Sequence, residues 1–209
     1  EFPFQYRDGQ RKMVGSVYHS ICSKKQIFIQ APTGVGKTMS TIFPAVRAVG
    51  EGKGETLFYL TAKTITRTVA EEAFAVLQEK GMKYKVVTIT AKDKLCFMEE
   101  TKCDPVYCPY AKGHFDRVND AVYELWTSGH TYDRQAIWEQ AQKWQVCPFE
   151  MCLDLAVWAD AVICDYNYVF DPTVHLKRFF GEGAGGDYIF LIDEAHNLVE
   201  RGREMYSAA

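Results

Sequence analysis

The chain has 209 residues, 47% hydrophobic and 14% aromatic, which is enough for one substantial core or one core with a small satellite. Its formal net charge of -3 excludes a globally basic coat for nucleic acid but allows a local basic stripe. No apolar run is long enough to span a membrane and no secretory signal is present, so we expect a cytoplasmic protein without a membrane partner. Because the chain starts at Glu1 rather than Met, we expect a piece of a longer protein.

Short apolar runs alternate with helical spacings along most of the chain. The runs predict strands over residues 26–30, 56–60, 84–89, 161–164 and 188–192. The spacings predict helices over residues 37–49 and 64–80, each followed by a glycine. Strands that alternate with helices indicate an α/β fold with a mostly parallel sheet covered on both faces.

Residues 95–152 break this alternation. Their first part carries three cysteines and two prolines with little periodicity, and helices are predicted after it over residues 115–126 and 134–144. So short a segment builds little hydrophobic core, which makes metal ligation a natural staple. We therefore predict a small helical, cysteine-rich insert over 95–152, between two parts of one α/β domain, 1–94 and 153–209.

A phosphate-binding loop, APTGVGKT, runs from Ala31 to Thr38 between the first predicted strand and the first predicted helix. Backbone N–H groups of its glycine-rich turn and the helix N-terminus favour phosphate. Lys37 would neutralise the β- and γ-phosphates of ATP, and the Thr38 hydroxyl would ligate Mg²⁺. The residues assigned to the nucleotide here are Thr33, Gly34, Val35, Gly36, Lys37 and Thr38.

Two carboxylates end the last predicted strand. Asp193 would hold Mg²⁺ through water, and Glu194 would orient or deprotonate the attacking water. We expect His196 to form a hydrogen bond across the site rather than to bind a metal. Because this acidic motif and the phosphate loop must meet at one nucleotide, the predicted catalytic residues are Lys37, Thr38, Asp193, Glu194 and His196.

Four of the seven cysteines are spaced as Cys96-x6-Cys103-x4-Cys108-x38-Cys147. Zinc modules usually pair their ligands two to four residues apart, and iron–sulfur ligands are sometimes followed by proline, as Cys108 and Cys147 are. The spacing alone leaves zinc and an iron–sulfur cluster both open. The remaining cysteines, Cys22, Cys152 and Cys164, are interpreted as buried packing residues. Cys152 is also an alternative to Cys147 as the fourth ligand.

The two nucleotide motifs resemble motifs I and II, the Walker A and DEAH-box elements, of superfamily 2 helicases. Arg7 and Gln10 resemble the upstream element whose glutamine reads adenine, and residues 60–63, LTAK, resemble motif Ia, which touches the DNA backbone. Residues 165–172, DYNYVFDP, resemble the Asn-Tyr-Asn-Tyr segment that precedes motif II. With the cysteine insert, the chain resembles the RecA-like first motor domain of XPD/DinG-type iron–sulfur DNA helicases.

This resemblance implies an ATP-dependent, 5′-to-3′ DNA helicase that acts in bacteria near the nucleoid, with DNA repair as one setting. It implies a 4Fe-4S cluster on the four spaced cysteines, DNA contacts at Thr61 and Lys63, and a second motor domain in the full-length chain that supplies an arginine finger. Lys92, a cation of the insert, is a further predicted DNA contact. The isolated chain should then hydrolyse ATP poorly. Its partners would be single-stranded DNA and duplex junctions.

Cations and aromatic residues of the insert fit DNA contact or a small aromatic core under a solvated face, and the sequence leaves both open. They are Lys92, Lys94, Lys102, Lys112, Arg117, Phe97, Tyr107, Tyr110 and Phe115. Two other functions also stay open: an ATP-switched iron–sulfur redox sensor, and a zinc-stapled P-loop ATPase without unwinding activity.

Overall fold

A computed structural model of the chain describes residues 1–32, 34–62 and 64–207, without the side chains of residues 64 and 65. The chain folds into two units. The first joins Glu1–Met82 to the part from Ile163 onward, and the second is Lys83–Val162. The predicted insert, 95–152, lies within the second unit, and its own limits stay a prediction.

Helices make up most of the regular structure. They are α1 (Gln10–Cys22), α2 (Lys37–Gly50), α3 (Thr64–Glu79), α4 (Lys92–Leu95), α5 (His114–Ser128), α6 (Arg134–Trp144), α7 (Pro148–Trp158), α8 (Asn167–Phe170), α9 (Lys177–Phe180) and α10 (Leu198–Tyr206). A short 3-10 turn, Ala195–Asn197, precedes α10. The predicted helices over 37–49, 64–80, 115–126 and 134–144 are therefore confirmed to within a few residues.

The strands are β1 (Thr56–Thr61), β2 (Val86–Thr88), β3 (Thr131–Tyr132), β4 (Ala161–Asp165) and β5 (Tyr188–Ile192). In the first unit β1 and β5 run parallel, in a register from Thr56 opposite Tyr188 to Leu60 opposite Ile192. In the second unit β2 and β3 also run parallel. Parallel pairing and helices between the strands confirm the predicted α/β class.

The core of the first unit lies around β1. Every residue of β1 after Thr56 is buried, as expected for a parallel strand that is covered on both faces. The Phe58 ring packs edge-on against Phe179 of α9, with centroids 5.1 Å apart, and stacks near Phe190 of β5 at 5.4 Å. These aromatic contacts fix β1 and β5 side by side, so the residues that follow the two strands are held close together.

Residues 26–30 do not form the strand that their apolar pattern predicts, and this prediction is wrong. The segment joins no β-ladder, and Phe28 is 89% exposed. Its start is held by side chains instead, because Lys24 Nζ lies 2.9 Å from a carboxylate oxygen of Asp187, just before β5. An apolar run reports a preference for burial, whereas a strand also requires a neighbour to pair with its backbone.

The second unit is built from α5, α6 and α7 with a part-buried cation at one end. Lys85 Nζ donates to the carbonyls of Trp126 and Gly129 and to the Tyr132 hydroxyl, and it lies 4.9 Å from the centre of the Trp126 ring. These bonds satisfy carbonyls at the C-terminal end of α5, where the helix has no partner of its own. Lys85 thereby fixes the loop that leads into β3.

A carboxylate joins α5 to α6. Glu124 accepts hydrogen bonds from Lys143, from Trp144 Nε1 and from Gln140. These donors, with Lys143 first, lower the pKa of Glu124 to about 2.

Within the described residues, no helix is both long enough and apolar enough to cross a membrane.

Candidate functional site

The phosphate loop ends where α2 begins, at Lys37. Gly34 and Gly36 have φ angles of 89° and 75°, a left-handed backbone that residues with a Cβ rarely adopt. The free N–H groups of the first turn of α2 and its positive dipole end attract an anion. Thr33, a predicted nucleotide residue, lies outside the described residues.

Lys37 brings the phosphate loop and the acidic motif together. Its Nζ lies 3.2 Å from Glu194 Oε1, although 157 positions of sequence separate the two residues. The same ammonium lies 3.5 Å from the carbonyl of Ala31, at the start of the loop. The two motifs therefore meet at one point in the first unit.

Asp193 lies next to this pair, at the carboxyl end of β5. Its N–H donates to the carbonyl of Leu60 at 3.0 Å, which ties it to the end of β1. Burial and then the charge of Glu194 raise the pKa of Asp193, while Lys37 lowers it. Two crowded carboxylates with only one ammonium between them are a favourable place for a divalent cation.

The Thr38 hydroxyl, the other predicted magnesium ligand, hydrogen-bonds to Tyr59 of β1. Tyr59 is itself buried, and this burial raises its pKa. The Thr38 hydroxyl and the Asp193 carboxylate are both oxygen ligands of the kind that Mg²⁺ binds. The residues present thus fit a magnesium ion.

His196 follows the acidic pair in the 3-10 turn. Its Nδ1 lies 3.4 Å from Glu194 Oε2, and its side chain is 73% exposed. The imidazole is therefore beside the predicted catalytic carboxylate and open to solvent. Its predicted hydrogen bond across the site stays a prediction.

The two predicted adenine-reading residues contact the phosphate loop. Gln10 is buried, and its Oε1 accepts the backbone N–H of Arg7 at 3.0 Å. Gln10 Nε2 lies only 2.6 Å from the position that a Cβ on Gly36 would occupy. The Arg7 guanidinium donates to the carbonyl of Gly34. This packing places Arg7 and the first residue of α1 against the loop that would hold the phosphates.

The three predicted DNA contacts differ in their surroundings. Thr61 is only 1% exposed, and its carbonyl accepts the N–H of Tyr166 at 3.3 Å. Its side chain is thus directed into the fold in this conformation. Lys63 lies outside the described residues. Lys92 belongs to the second unit, among the cysteines.

The four spaced cysteines line one small cavity, of about 30 Å³, in the second unit. Cys108 is buried, Cys96 and Cys147 are half-buried, and Cys103 is exposed. All seven cysteines of the chain are free thiols. No group of three or more histidine, cysteine or carboxylate side chains is close enough to hold a metal ion among the residues described. The fold therefore gathers the predicted ligands around one space without drawing their sulfur atoms together.

Donors surround two of these thiols. Lys92 hydrogen-bonds to Cys103, and this bond raises the pKa of the lysine. Backbone N–H groups of Glu150 and Phe149, in the first turn of α7, favour the thiolate of Cys147, although burial outweighs them and raises its pKa. Cationic and N–H donors are the groups that stabilise metal-bound thiolates. In number, type and surroundings, the four cysteines fit an iron–sulfur cluster or another thiolate-bound metal.

The other cysteines lie apart from this cavity. Cys152 is fully buried, and its Sγ lies 3.7 Å from the carbonyl of Thr88. Cys164 is fully buried in β4, as predicted. Cys22 is exposed at the end of α1, so its predicted burial is wrong. Helical spacing places a residue on a face but does not say whether another element covers that face.

The insert residues divide between core and surface. Phe97 packs against Tyr110, with ring centroids 4.5 Å apart. Arg117 is engaged by backbone carbonyls, including that of Trp144 at 3.0 Å. In contrast, Tyr107 and Phe115 are 68% and 85% exposed. Phe97 and Tyr110 thus fit the small aromatic core, whereas the exposed Tyr107 and Phe115 are free of that core and fit the DNA-contact interpretation.

Comparison with known proteins agrees with this geometry. The DEAD_2 family model matches residues 61–209, and a DEAD/DEAH box helicase model matches residues 8–110. The first of these covers well over half of the chain. The chain belongs to the DEAD_2 family. The predicted resemblance to XPD-type superfamily 2 helicases is thereby confirmed.

Two curated relatives align with nearly the whole chain. The regulator of telomere elongation helicase 1 homolog of Caenorhabditis briggsae is 22% identical over 95% of this chain and 24% of its own length. The ATP-dependent DNA helicase XPD of Sulfolobus acidocaldarius is 21% identical over 92% of this chain and 33% of its own. This DEAD_2 chain therefore spans a third or less of these relatives.

A solved structure described as an XPD helicase has the same fold. It superposes with a TM-score of 0.64 at 18% identity, over 94% of this chain and 34% of the other. This likeness confirms the predicted RecA-like α/β fold.

Sequence reasoning gave no role to two tyrosines of the nucleotide site. Tyr59 holds Thr38, and Tyr166 donates from its hydroxyl to the carbonyls of Asp193 and Glu194. A signal was available for Tyr166, because it directly follows β4 and the carboxyl ends of parallel strands meet at one edge of a sheet. Which backbone atoms its hydroxyl would reach could not be read from the pattern.

Proposed function

We propose that this DEAD_2 chain is the first motor domain of an ATP-dependent DNA helicase, which couples ATP hydrolysis to movement along single-stranded DNA and to duplex separation. The observation that carries the proposal is the Lys37–Glu194 pair, 3.2 Å between Nζ and Oε1. This pair joins a group suited to phosphate with a group suited to the attacking water. The curated relatives named above are helicases by description.

The residues of the site would act in sequence. In the structure, Lys37 is paired with Glu194. The phosphates of ATP carry more negative charge than one carboxylate, so they would draw the ammonium away and leave Glu194 free to orient water. Thr38 and Asp193 would hold Mg²⁺, which when bound neutralises charge on the phosphate oxygens. Gln10 and Arg7, packed against the loop, would place the base relative to the phosphates.

ATP hydrolysis by the protein as its cell makes it, with and without single-stranded DNA, tests this assignment. Lys37→Ala should lower DNA-stimulated turnover about a hundredfold or more, because it removes a preorganised charge at the transferring phosphate. Lys53→Ala, an exposed lysine of the same unit, is the matched control and should leave turnover unchanged. Glu194→Gln should retain nucleotide binding and lower turnover about a hundredfold or more, to a residual rate that is measurable at high enzyme concentration. Normal turnover by Lys37→Ala would contradict the proposal.

The second motor domain and the direction of travel belong to the same proposal. The chain spans 24% and 33% of the two relatives, which leaves room in a full-length protein for a second domain that supplies an arginine finger. The isolated chain should accordingly bind nucleotide weakly and hydrolyse it poorly. We propose 5′-to-3′ travel. Duplexes with a single 5′ or 3′ overhang test it, and preferential unwinding from the 3′ overhang would refute it.

We also propose that Cys96, Cys103, Cys108 and Cys147 hold a 4Fe-4S cluster, which would supply a rigid four-point staple for the insert. The shared cavity and the donors at Cys103 and Cys147 support this assignment. Metal analysis of anaerobically purified protein decides it against the zinc alternative. About four irons per chain with broad absorbance near 400 nm are expected. One zinc in a colourless protein would overturn it.

The biological setting is likewise a proposal. We infer a cytoplasmic, bacterial, nucleoid-associated role in DNA repair, although the relatives described above come from a nematode and an archaeon. The redox-sensor alternative predicts that Glu194→Gln leaves the output of the protein intact. The motor proposal predicts that the same change lowers it about a hundredfold or more.

A further inference from the structure

Tyr166 stands directly behind the acidic motif of the nucleotide site. Its ring is fully buried, and its hydroxyl donates to the backbone carbonyls of Asp193 and Glu194, the latter at 3.1 Å. A phenol hydroxyl keeps its proton, and remains a donor, throughout the neutral range.

Those carbonyls belong to a turn that needs support. Glu194 has φ 49° and ψ 46°, the left-handed conformation that residues with a side chain rarely adopt. Besides Tyr166, its carbonyl accepts the N–H of Asn197 at 2.9 Å and Asn197 Nδ2 at 3.0 Å. Three donors on one carbonyl hold a conformation that the Glu194 backbone would not keep alone.

This conformation sets the direction of the Glu194 side chain. From it, the carboxylate reaches Lys37 on one side and His196 on the other. Tyr166 is in turn anchored to the end of β1, because its own N–H donates to the carbonyl of Thr61 at 3.3 Å. Tyr166 thus connects the end of β1 to the turn that carries Glu194, the proposed catalytic carboxylate.

We propose that Tyr166 is a positioning residue for ATP hydrolysis: its hydroxyl holds the Asp193–Glu194 turn in the left-handed conformation that aims the Glu194 carboxylate at the attacking water. The inference rests on the proposed function, in which Glu194 orients that water. It assigns Tyr166 no contact with the nucleotide. Loss of the hydroxyl should therefore affect the chemical step and leave ATP binding in place.

Tyr166→Phe in the protein as its cell makes it removes the hydroxyl and keeps the ring. We expect kcat for DNA-stimulated hydrolysis to fall about tenfold or more, since small misplacements of a catalytic group cost this much, while KM for ATP stays within about twofold. Tyr206→Phe is the matched control, because the Tyr206 hydroxyl donates to the Phe170 carbonyl away from the site. This control should keep kcat unchanged.

A double-mutant cycle separates positioning from a general structural role. In a Glu194→Gln background, Tyr166→Phe should lower kcat by less than about twofold, because the group that it positions is already gone. An undiminished effect in that background, or an unchanged kcat for Tyr166→Phe alone, would overturn the inference. Absence of ATP hydrolysis by the unaltered protein would instead refute the proposed function.

Asn197→Ala keeps the inference testable if Tyr166→Phe does not fold. Asn197 is part-exposed and donates to the same Glu194 carbonyl, so its loss should lower kcat in the same direction, by about threefold, with KM unchanged. An unchanged kcat for a folded Asn197→Ala variant would count against support of the turn as the source of the effect.

Discussion

Gly36→Ala tests whether the first residue of α1, Gln10, is packed against the phosphate loop. A Cβ at position 36 would lie 2.6 Å from Gln10 Nε2, which is closer than non-bonded atoms approach. The amide end of Gln10 must then move, and its Oε1 loses the 3.0 Å hydrogen bond from the Arg7 N–H. Position 36 also has φ 75°, which any L-residue adopts with strain.

The expected cost has two parts. Alanine in the left-handed region costs about 1–2 kcal/mol. The lost hydrogen bond adds about 1 kcal/mol. Gly36→Ala should therefore lower the free energy of unfolding by about 2–3 kcal/mol. Gly34→Ala is the matched control, because φ at Gly34 is 89° and, among the described residues other than its chain neighbours, none has an atom within 4 Å of its Cβ position, so it should cost only the strain of about 1–2 kcal/mol.

Urea unfolding of the chain without nucleotide measures these costs. In a Gln10→Ala background, Gly36→Ala should cost about 1 kcal/mol less than it does in the unaltered chain, because the clash and the hydrogen bond are already gone. Equal costs in the two backgrounds would refute the packing of Gln10 on Gly36. Equal costs for Gly34→Ala and Gly36→Ala would refute it as well.

Three further outcomes follow from other parts of the molecule. The pKa of Glu124 is lowered to about 2, so the stability that this carboxylate contributes is present above its ordinary pKa of 4.5 and is lost as pH falls toward 2. The melting temperature of Glu124→Gln should therefore lie below that of the unaltered chain at neutral pH and equal it near pH 2. A difference in melting temperature that persists near pH 2 would contradict this prediction. Lys85→Met leaves the single proton of the Tyr132 hydroxyl to serve the carbonyls of both Trp126 and Gly129, and should destabilise the chain by about 1–3 kcal/mol in urea unfolding. A loss below about 0.5 kcal/mol would contradict the structural role of the ammonium. Cys147→Ser should abolish bound iron whereas Cys152→Ser should retain it, and the reverse result in metal analysis would make Cys152 the ligand.

The sequence predicted most of the elements because their signals are local. Helical spacing and a following glycine located α2 and α3, and apolar runs located β1, β4 and β5. The apolar run over residues 26–30 wrongly predicted a strand, because a strand needs a neighbouring strand to pair with and a local pattern does not show that neighbour. Helix α7 was indicated only by a helical face at Cys152, Leu155 and Ala156, and its start was not predicted although Pro148 stands at its first position, a common start of a helix. That proline had been interpreted only as a companion of the Cys147 ligand.

The candidate site was predictable where chain topology fixes it. Motifs at the start of α2 and at the end of β5 had to meet if one nucleotide uses both, and the Lys37–Glu194 pair brings them together. The contact of Gln10 with Gly36 beside that pair was not predictable. It depends on how two separate segments pack through a side chain, and a local sequence pattern does not contain that information. The left-handed backbone of Glu194 was equally hidden, since glutamate gives no signal for it.

ATP-dependent separation of a forked DNA duplex by the protein as its cell makes it tests the central claim most directly. A fluorophore and a quencher on the two strands report separation in real time. We predict separation with ATP, none with a non-hydrolysable analogue, and none for Lys37→Ala with ATP. Separation by Lys37→Ala at the normal rate would contradict the claim that this site drives a DNA motor, as would vigorous ATP hydrolysis without any strand separation.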